Sequence, residues 1–279
     1  MGNSQQHAYL RSVFVKSGDR TVLANKFHTA PLKIAKSFQK QGQLSVIVMD
    51  VSPGILEGDR YTMEWRAESE THAMITNQSY MKAHPCPRGI LSKVEQSFQL
   101  EAGAVVEHMP EPVMLFEEAV LLNEVKVTLE EGSIWMQADI LCPGRTHKGE
   151  QFRYRSFDNR LSVQWKNELI FHQRQFIDPM RHRLRSSGSW EEMTYTGTFY
   201  LFSDFVRAEH LPPFTELLER YAAPEEHPIS AGATLTHRHG IAVMAVCTAA
   251  WPLQQLMRLI WEEARKLMLG KAPLRLLQC

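Results

Sequence analysis

Apolar and polar residues alternate with period two through much of the first 205 positions. Val94, Gln96, Phe98 and Leu100 alternate with Glu95, Ser97, Gln99 and Glu101. Ile134, Met136, Ala138 and Ile140 alternate with Trp135, Gln137 and Asp139. Leu161, Val163 and Trp165 alternate with Ser162, Gln164 and Lys166. This period marks half-buried strands, and the β-branched and aromatic content of the runs agrees with it. The period changes near the end. Leu211, Phe214, Leu217, Leu218 and Tyr221 recur at helical spacing, with Pro212 and Pro213 suited to a first turn and Pro224 as a stop, so a helix is predicted near 211–223. Leu253, Leu256, Met257, Ile260, Ala264, Leu267 and Met268 form one stripe of a second helix near 252–269, with Glu262 and Lys266 paired on its other face and Gly270 as C-cap. Between the helices, 233–247 reads as two strands turning near His239-Gly240.

A weak internal repeat underlies the strand region. Leu100-Glu101-Ala102-Gly103-Ala104-Val105-Val106 is echoed 29 residues later by Leu129-Glu130-Glu131-Gly132-Ser133-Ile134-Trp135. Glu68-Ser69-Glu70-Thr71-His72-Ala73-Met74-Ile75 resembles a third copy without the glycine. Each reads strand, acidic turn, strand, and glycine supplies a positive φ at little steric cost. Units recurring near ~30 residues suggest stacked layers. Two unrelated hairpins would give the same echo. The predicted fold is mainly β: a solenoid-like stack of strands or layered sheets with a small C-terminal helical (α+β) part. It forms a single domain over 1–279, with no Gly/Ser/Pro-rich linker dividing it.

Lys plus Arg is 31 and Asp plus Glu is 31, so the formal net charge is zero. That balance argues against a nucleic-acid binder or a polybasic membrane protein. The longest apolar run, 241–250, falls short of the ~20 residues that a membrane span needs. Residues 1–6 lack a leader pattern. Cys86, Cys142, Cys247 and Cys279 lie far apart with no CxxC spacing and read as reduced thiols, and Cys279 does not fit a prenylation signal. A cytoplasmic protein is expected.

No nucleophile elbow, Walker loop or HExxH motif is present, which favours a binding or scaffolding role. His237 and His239 form an HxH pair. On a strand both imidazoles would face one side and could share a metal, but no third ligand is identifiable, and a turn with two exposed histidines is the favoured reading. His84-Pro85-Cys86-Pro87 places an imidazole and a thiol in a rigid loop, again only two ligands. Asp50, Glu57 and Asp59 crowd a Pro/Gly-rich loop that suits a divalent ion, arginine partners or plain solvation. Residues 144–150 form a basic loop ending in Glu150 that either binds an anion or partner or simply joins two strands. Arg174, Arg181, His182, Arg183 and Arg185 crowd one stretch, where Phe176 is the only close aromatic. A solvated or partner-binding surface is favoured there over an RNA-facing one.

Several of these loops fall in a recognisable order. Ser52-Pro53-Gly54-Ile55-Leu56-Glu57-Gly58-Asp59 is followed by Ile75-Thr76-Asn77-Gln78 with Lys82. Next comes Glu107-His108-Met109-Pro110-Glu111-Pro112-Val113-Met114-Leu115-Phe116, then Gly144-Arg145 with Gly149-Glu150-Gln151-Phe152. From about Leu10 to Asp204 this pattern resembles the UreD/UreH family of urease accessory proteins. Three features depart from it: Ile55 stands where the family usually has a second glycine, Glu57 replaces the first glycine of a Gly-Gly-Asp, and the loop from His84 to Arg88 is unlike the usual one, so the resemblance does not support a metal role there.

The resemblance implies a non-enzymatic maturation factor, largely β. It would bind apo-urease and a helical UreF-like protein that recruits a UreG-like GTPase, and would dimerise through that complex. It also implies no tightly bound cofactor, only transient Ni²⁺ passing through an internal polar passage. Asp59, Glu107, Glu111 and Glu150 lie in the matched motifs and are the expected passage lining. Ser52, Pro53, Gly54, Gly58, Pro110, Gly144, Arg145 and Gly149 are expected to shape the loops. Two rival readings remain: a metal-dependent hydrolase using His237 and His239, and a β-solenoid interaction module unrelated to nickel.

Overall fold

Each of the three echoed segments folds as strand, tight turn, strand. In the turns, Thr71, Ala104 and Ser133 donate their backbone N–H to Glu68, Glu101 and Glu130. Gly103 and Gly132 have φ of 68° and 69°, and Glu70 takes the same left-handed conformation at 57° where the first copy lacks glycine. The turns stack: Glu70 N donates to Ala102 O and Gly103 N to Glu131 O. Asp204 closes the row by accepting from Gly132 N at 3.0 Å.

The computed structural model describes residues 5–40 and 42–272. Two hairpins come first, β1 (His7–Ser17) with β2 (Arg20–His28) and β3 (Leu32–Lys40) with β4 (Gln43–Asp50). Three coils follow. The first is β5 (Arg60–Ala67), β6 (His72–Asn77) and the short β7 (Met81–Ala83). The second is β8 (Ser92–Leu100), β9 (Val105–His108) and β10 (Val113–Leu115), and the third is β11 (Val120–Leu129) and β12 (Ile134–Cys142). A hairpin of β13 (Ser156–Trp165) and β14 (Glu168–Ile177) and then β15 (Tyr195–Phe202) complete the β body. The tail is α1 (Leu211–Arg220), β16 (Ile229–Leu235), β17 (Gly240–Cys247) and α2 (Ala250–Leu269).

The strands build two sheets. The first runs β14-β13-β11-β8-β5-β1-β2 and the second β16-β17-β15-β12-β9-β6-β4-β3. Their centres are parallel, as a solenoid requires. Ala67, Leu100 and Leu129 pair across one sheet, and His72, Val105 and Ile134 across the other. One core fills the space between the sheets, with Trp65, Phe98, Trp135 and Phe202 in it. A second lies between the other face of the second sheet and the helices, where Met136, Phe199, Phe214, Leu256 and Trp261 pack.

That second layer changes the reading of β12. Its alternation suggested Trp135, Gln137 and Asp139 as an outer polar face. Instead they point between the sheets, with Trp135 and Gln137 at 0% and 1% exposure, because the first sheet covers one face and α2 the other. Helix α1 stops at Arg220, short of 223, since Tyr221 turns to an extended ψ of 109°. Helix α2 begins at Ala250 and ends on Gly270 at φ 59°. The hairpin between the helices starts at Ile229, ahead of 233, and turns through 236–239. Cys86, Cys142 and Cys247 are buried free thiols, and Cys279 lies outside the described residues. No helix among the described residues is long and apolar enough to cross a membrane.

Candidate functional site

The four motif segments return the chain from the second sheet to the first, so they align on one side of the stack, opposite the acidic turns. Ile55 N donates to Lys82 O, His84 N to Ile55 O and Phe116 N to Ala83 O. Two glycines are required by these close approaches. Gly54 (φ 137°) and Gly144 (φ 139°) occupy comparable corners, and an added Cβ would sit 2.5 Å from Lys82 O and 2.3 Å from Glu150 O. Side chains continue the ladder. The Arg145 guanidinium lies 4.2 Å over the Phe116 ring, whose centroid is 4.8 Å from that of His84.

The acids of these loops divide by role. Asp50 Oδ1 accepts from Ser52 N at 2.8 Å and Ser52 Oγ at 2.6 Å. Asp59 accepts from Gln6 N and Leu56 N, both at 2.9 Å. Glu57 accepts from the backbone N of Arg88 and Ile90 and from Arg88 Nε. Burial opposes ionisation of Glu57, but these donors outweigh it and its carboxyl stays below the usual range. Glu150 pairs with Arg145, whose hydrogen bond holds it low as well. Asp59, Glu57 and Glu150 therefore staple loops together.

Beneath the loops a cavity of about 80 Å³ lies between the sheets, enough for a few waters on the order of 30 Å³ each. Asp50, Glu111 and Asp139 line it, with Tyr61, Gln96 and Asn123 among its neutral polar groups and Lys82 as its cation. Burial raises the Glu111 carboxyl and pushes Asp139 up to about 6. Asp139 belongs to a relay: His108 Nδ1 donates to Gln137 Oε1 at 2.7 Å, and Gln137 Nε2 donates to Asp139 Oδ2 at 2.5 Å. Burial drops His108 to about 4, so its imidazole is neutral.

Of the four acids expected to line a passage, the structure brings Glu111 alone to this cavity. Glu107 and His108 are neighbours on β9, and strand alternation sends them to opposite faces. Glu107, at 0% exposure, faces α2. It accepts from Gln43 at 3.1 Å, His72 at 2.5 Å and Trp261 Nε1 at 2.5 Å, and pairs with the equally buried Arg265. Burial opposes its ionisation, yet His72 and Arg265 outweigh that and its carboxyl lies below the usual range. Asp139 was hidden in the sequence by its place in an apparently outward strand face. Asp50 stood in the right loop, but composition there did not separate it from its neighbours.

His237 and His239 sit in the turn between β16 and β17, outside both strands, with His239 directly before Gly240 of β17. His239 takes φ 57° and its ring lies tilted against that of Trp165, with centroids 4.8 Å apart. No three His, Cys, Asp or Glu side chains converge in a metal-holding group among the described residues. In the basic stretch, Arg174 pairs with Asp158 and Arg181 with Asp178, while Arg185 bonds Gln151.

A family model described as UreD urease accessory protein matches residues 6–277. A urease accessory protein UreD from Acetivibrio thermocellus is 29% identical over 246 residues, covering 88% of this chain and 92% of the relative. A UreD from Photorhabdus laumondii is 24% identical, covering 96% and 85%. A urease accessory protein UreH from Helicobacter hepaticus is 23% identical, covering 69% and 76%. With the family pattern running almost end to end, the chain belongs to the UreD family of urease accessory proteins.

Proposed function

We propose that this chain is a urease maturation factor of the cytoplasm, a scaffold without catalytic activity of its own. It binds apo-urease and a complex of UreF-like and UreG-like proteins, and passes Ni²⁺ toward the urease active site. The observation that carries this reading is the acid-lined cavity between the sheets, roofed by the loops that define the family pattern. Carboxylates and amides hold a borderline divalent ion well enough to admit it and loosely enough to release it. Asp50, Glu111 and Asp139 supply the charge, and the relay from His108 through Gln137 orients Asp139.

The helical layer supports the partner side of the reading. A cleft of about 740 Å³ lies between α1 and α2, with Leu217, Tyr221, Leu259 and Leu267 at its floor and charged residues such as Glu216 and Lys266 at its rim. An apolar groove with a charged rim suits an amphipathic helix, which fits a helical UreF-like protein and dimerisation through it. The test is urease activation in co-expressing cells with Asp139→Asn and Glu111→Gln. Both variants should still co-purify with apo-urease while urease nickel content and activity fall. Wild-type activation by both would contradict the passage.

A further inference from the structure

The main hydrogen-bonded paths of the two sheets end on four strands, β2, β3, β14 and β16. An end strand offers a row of free N–H and C=O groups to any extended chain, and folds blunt that hazard with charge and bulges. Three of the four are blunted here. β2 carries Arg20 and Lys26 and an extra residue, Ala24, because Val13 pairs with Asn25 and Phe14 with Leu23. β3 carries Lys33, Lys36 and Lys40, and its pairing skips Ala35. β14 carries Glu168 and Arg174, and its pairing skips Ile170. β16 has neither device. Ile229–Leu235 holds no charge and no proline, and every residue of it pairs with β17 in one unbroken register. Ser230, Ala231, Gly232, Thr234 and Leu235 are exposed, and no backbone group of another described strand or loop bonds to the outer edge.

The sequence of β16 also reads nearly the same in both directions. About Gly232 as centre, Ala231 mirrors Ala233, Ser230 mirrors Thr234 and Ile229 mirrors Leu235. Two antiparallel copies related by a two-fold axis at Gly232 set each of these residues opposite its mirror. We propose that β16 is a self-pairing edge, on which a second copy of this chain docks and joins the two second sheets into one. Alternation keeps the faces matched. Ile229 and Ala233 pack toward the helical layer, and their row meets the same row of the other copy. On the opposite face the hydroxyls of Ser230 and Thr234 meet across the seam. Met244, 51% exposed, lies beside Gly232 on that face, and the glycine pair leaves open ground for both methionines to cover. So short a seam buries little area, and the dimer is weak, with Kd of about 10–100 μM. The edge is separate from the cleft between α1 and α2, which none of its residues lines, so the inference is independent of the maturation reading.

The test is sedimentation velocity on the purified full chain up to about 100 μM, with thermal melts as a check on folding. A side chain added at Gly232 meets nothing within 4 Å, so Gly232→Lys and Gly232→Glu should both fold. Each sets like charges face to face across the axis and should weaken the dimer about fivefold or more. Mixing the two variants sets Lys against Glu and should restore pairing as a heterodimer, a rescue that a merely structural defect would not show. A wild-type chain that stays monomeric at that concentration would overturn the proposal, even if another protein's strand then took the edge. Folded Lys and Glu variants that dimerise like the wild type would overturn it as well, and so would a mixture with no more dimer than either variant alone.

Discussion

Asp139 bears a cost that its removal should reveal. Burial lifts its carboxyl from 3.8 to about 6. At ~1.4 kcal/mol per pH unit, that is about 3 kcal/mol of stability withheld from the folded chain at pH 7.5. A group raised in this way weighs nothing below the unfolded value of 3.8 and reaches its full cost above 6. Asp139→Asn removes the charge and keeps the shape, so it should stabilise the protein near neutrality. At about 2 °C per kcal/mol for a chain of this size, Tm should rise by about 6 °C. His108 titrates in the opposite sense, because burial lowers it from 6.5 to about 4. Its contribution is present above 6.5 and lost as pH falls toward 4. The two slopes oppose each other between pH 4 and 6, so the wild type should look nearly flat there. Asp139→Asn should then lose stability steeply in acid, and His108→Gln should gain it. Thermal melts of the three proteins from pH 4.5 to 8 decide the matter. A neutral-pH Tm for Asp139→Asn at or below the wild type, or an unchanged acid slope, would refute the assignment of Asp139 to a desolvated wall.

Three further outcomes follow from the geometry. Gly54→Ala and Gly144→Ala must move backbone oxygens now 2.5 and 2.3 Å from the new Cβ, so each should lose more than about 1 kcal/mol in denaturant unfolding. Glu107→Ala strands a fully buried Arg265, so it should cost about 3–5 kcal/mol and reduce soluble yield, measured by urea titration. Glu70→Gly relieves a left-handed non-glycine at φ 57° and should gain up to about 1 kcal/mol in the same assay.

The solenoid was legible because each coil carries its own turn. Gly103 and Gly132 mark equivalent corners, and the acids beside them make an echo that a reader can align. Glu70 shows the limit of that signal, since stacked neighbours hold a non-glycine in the same conformation. The helical stripes were equally plain, because Leu256, Met257, Ile260 and Ala264 all face one core. What hid the interior was the double burial of the second sheet. Period two separates two faces of a strand but does not say that both are covered, so Gln137 and Asp139 looked like surface residues. The motif acids misled for a related reason. Asp59 and Glu150 stand beside their glycines as loop staples, and Glu107 meets Arg265 from 158 positions away. Such a partner leaves no local trace.

The most direct measurement is urease reconstitution in cells. The structural subunits and the remaining accessory proteins would be co-expressed in nickel medium, with and without this chain, and the purified urease assayed for activity and bound nickel. The account predicts that both collapse when the chain is missing, and that the chain co-purifies with apo-urease. Full activity and nickel content without it would contradict a role in urease maturation.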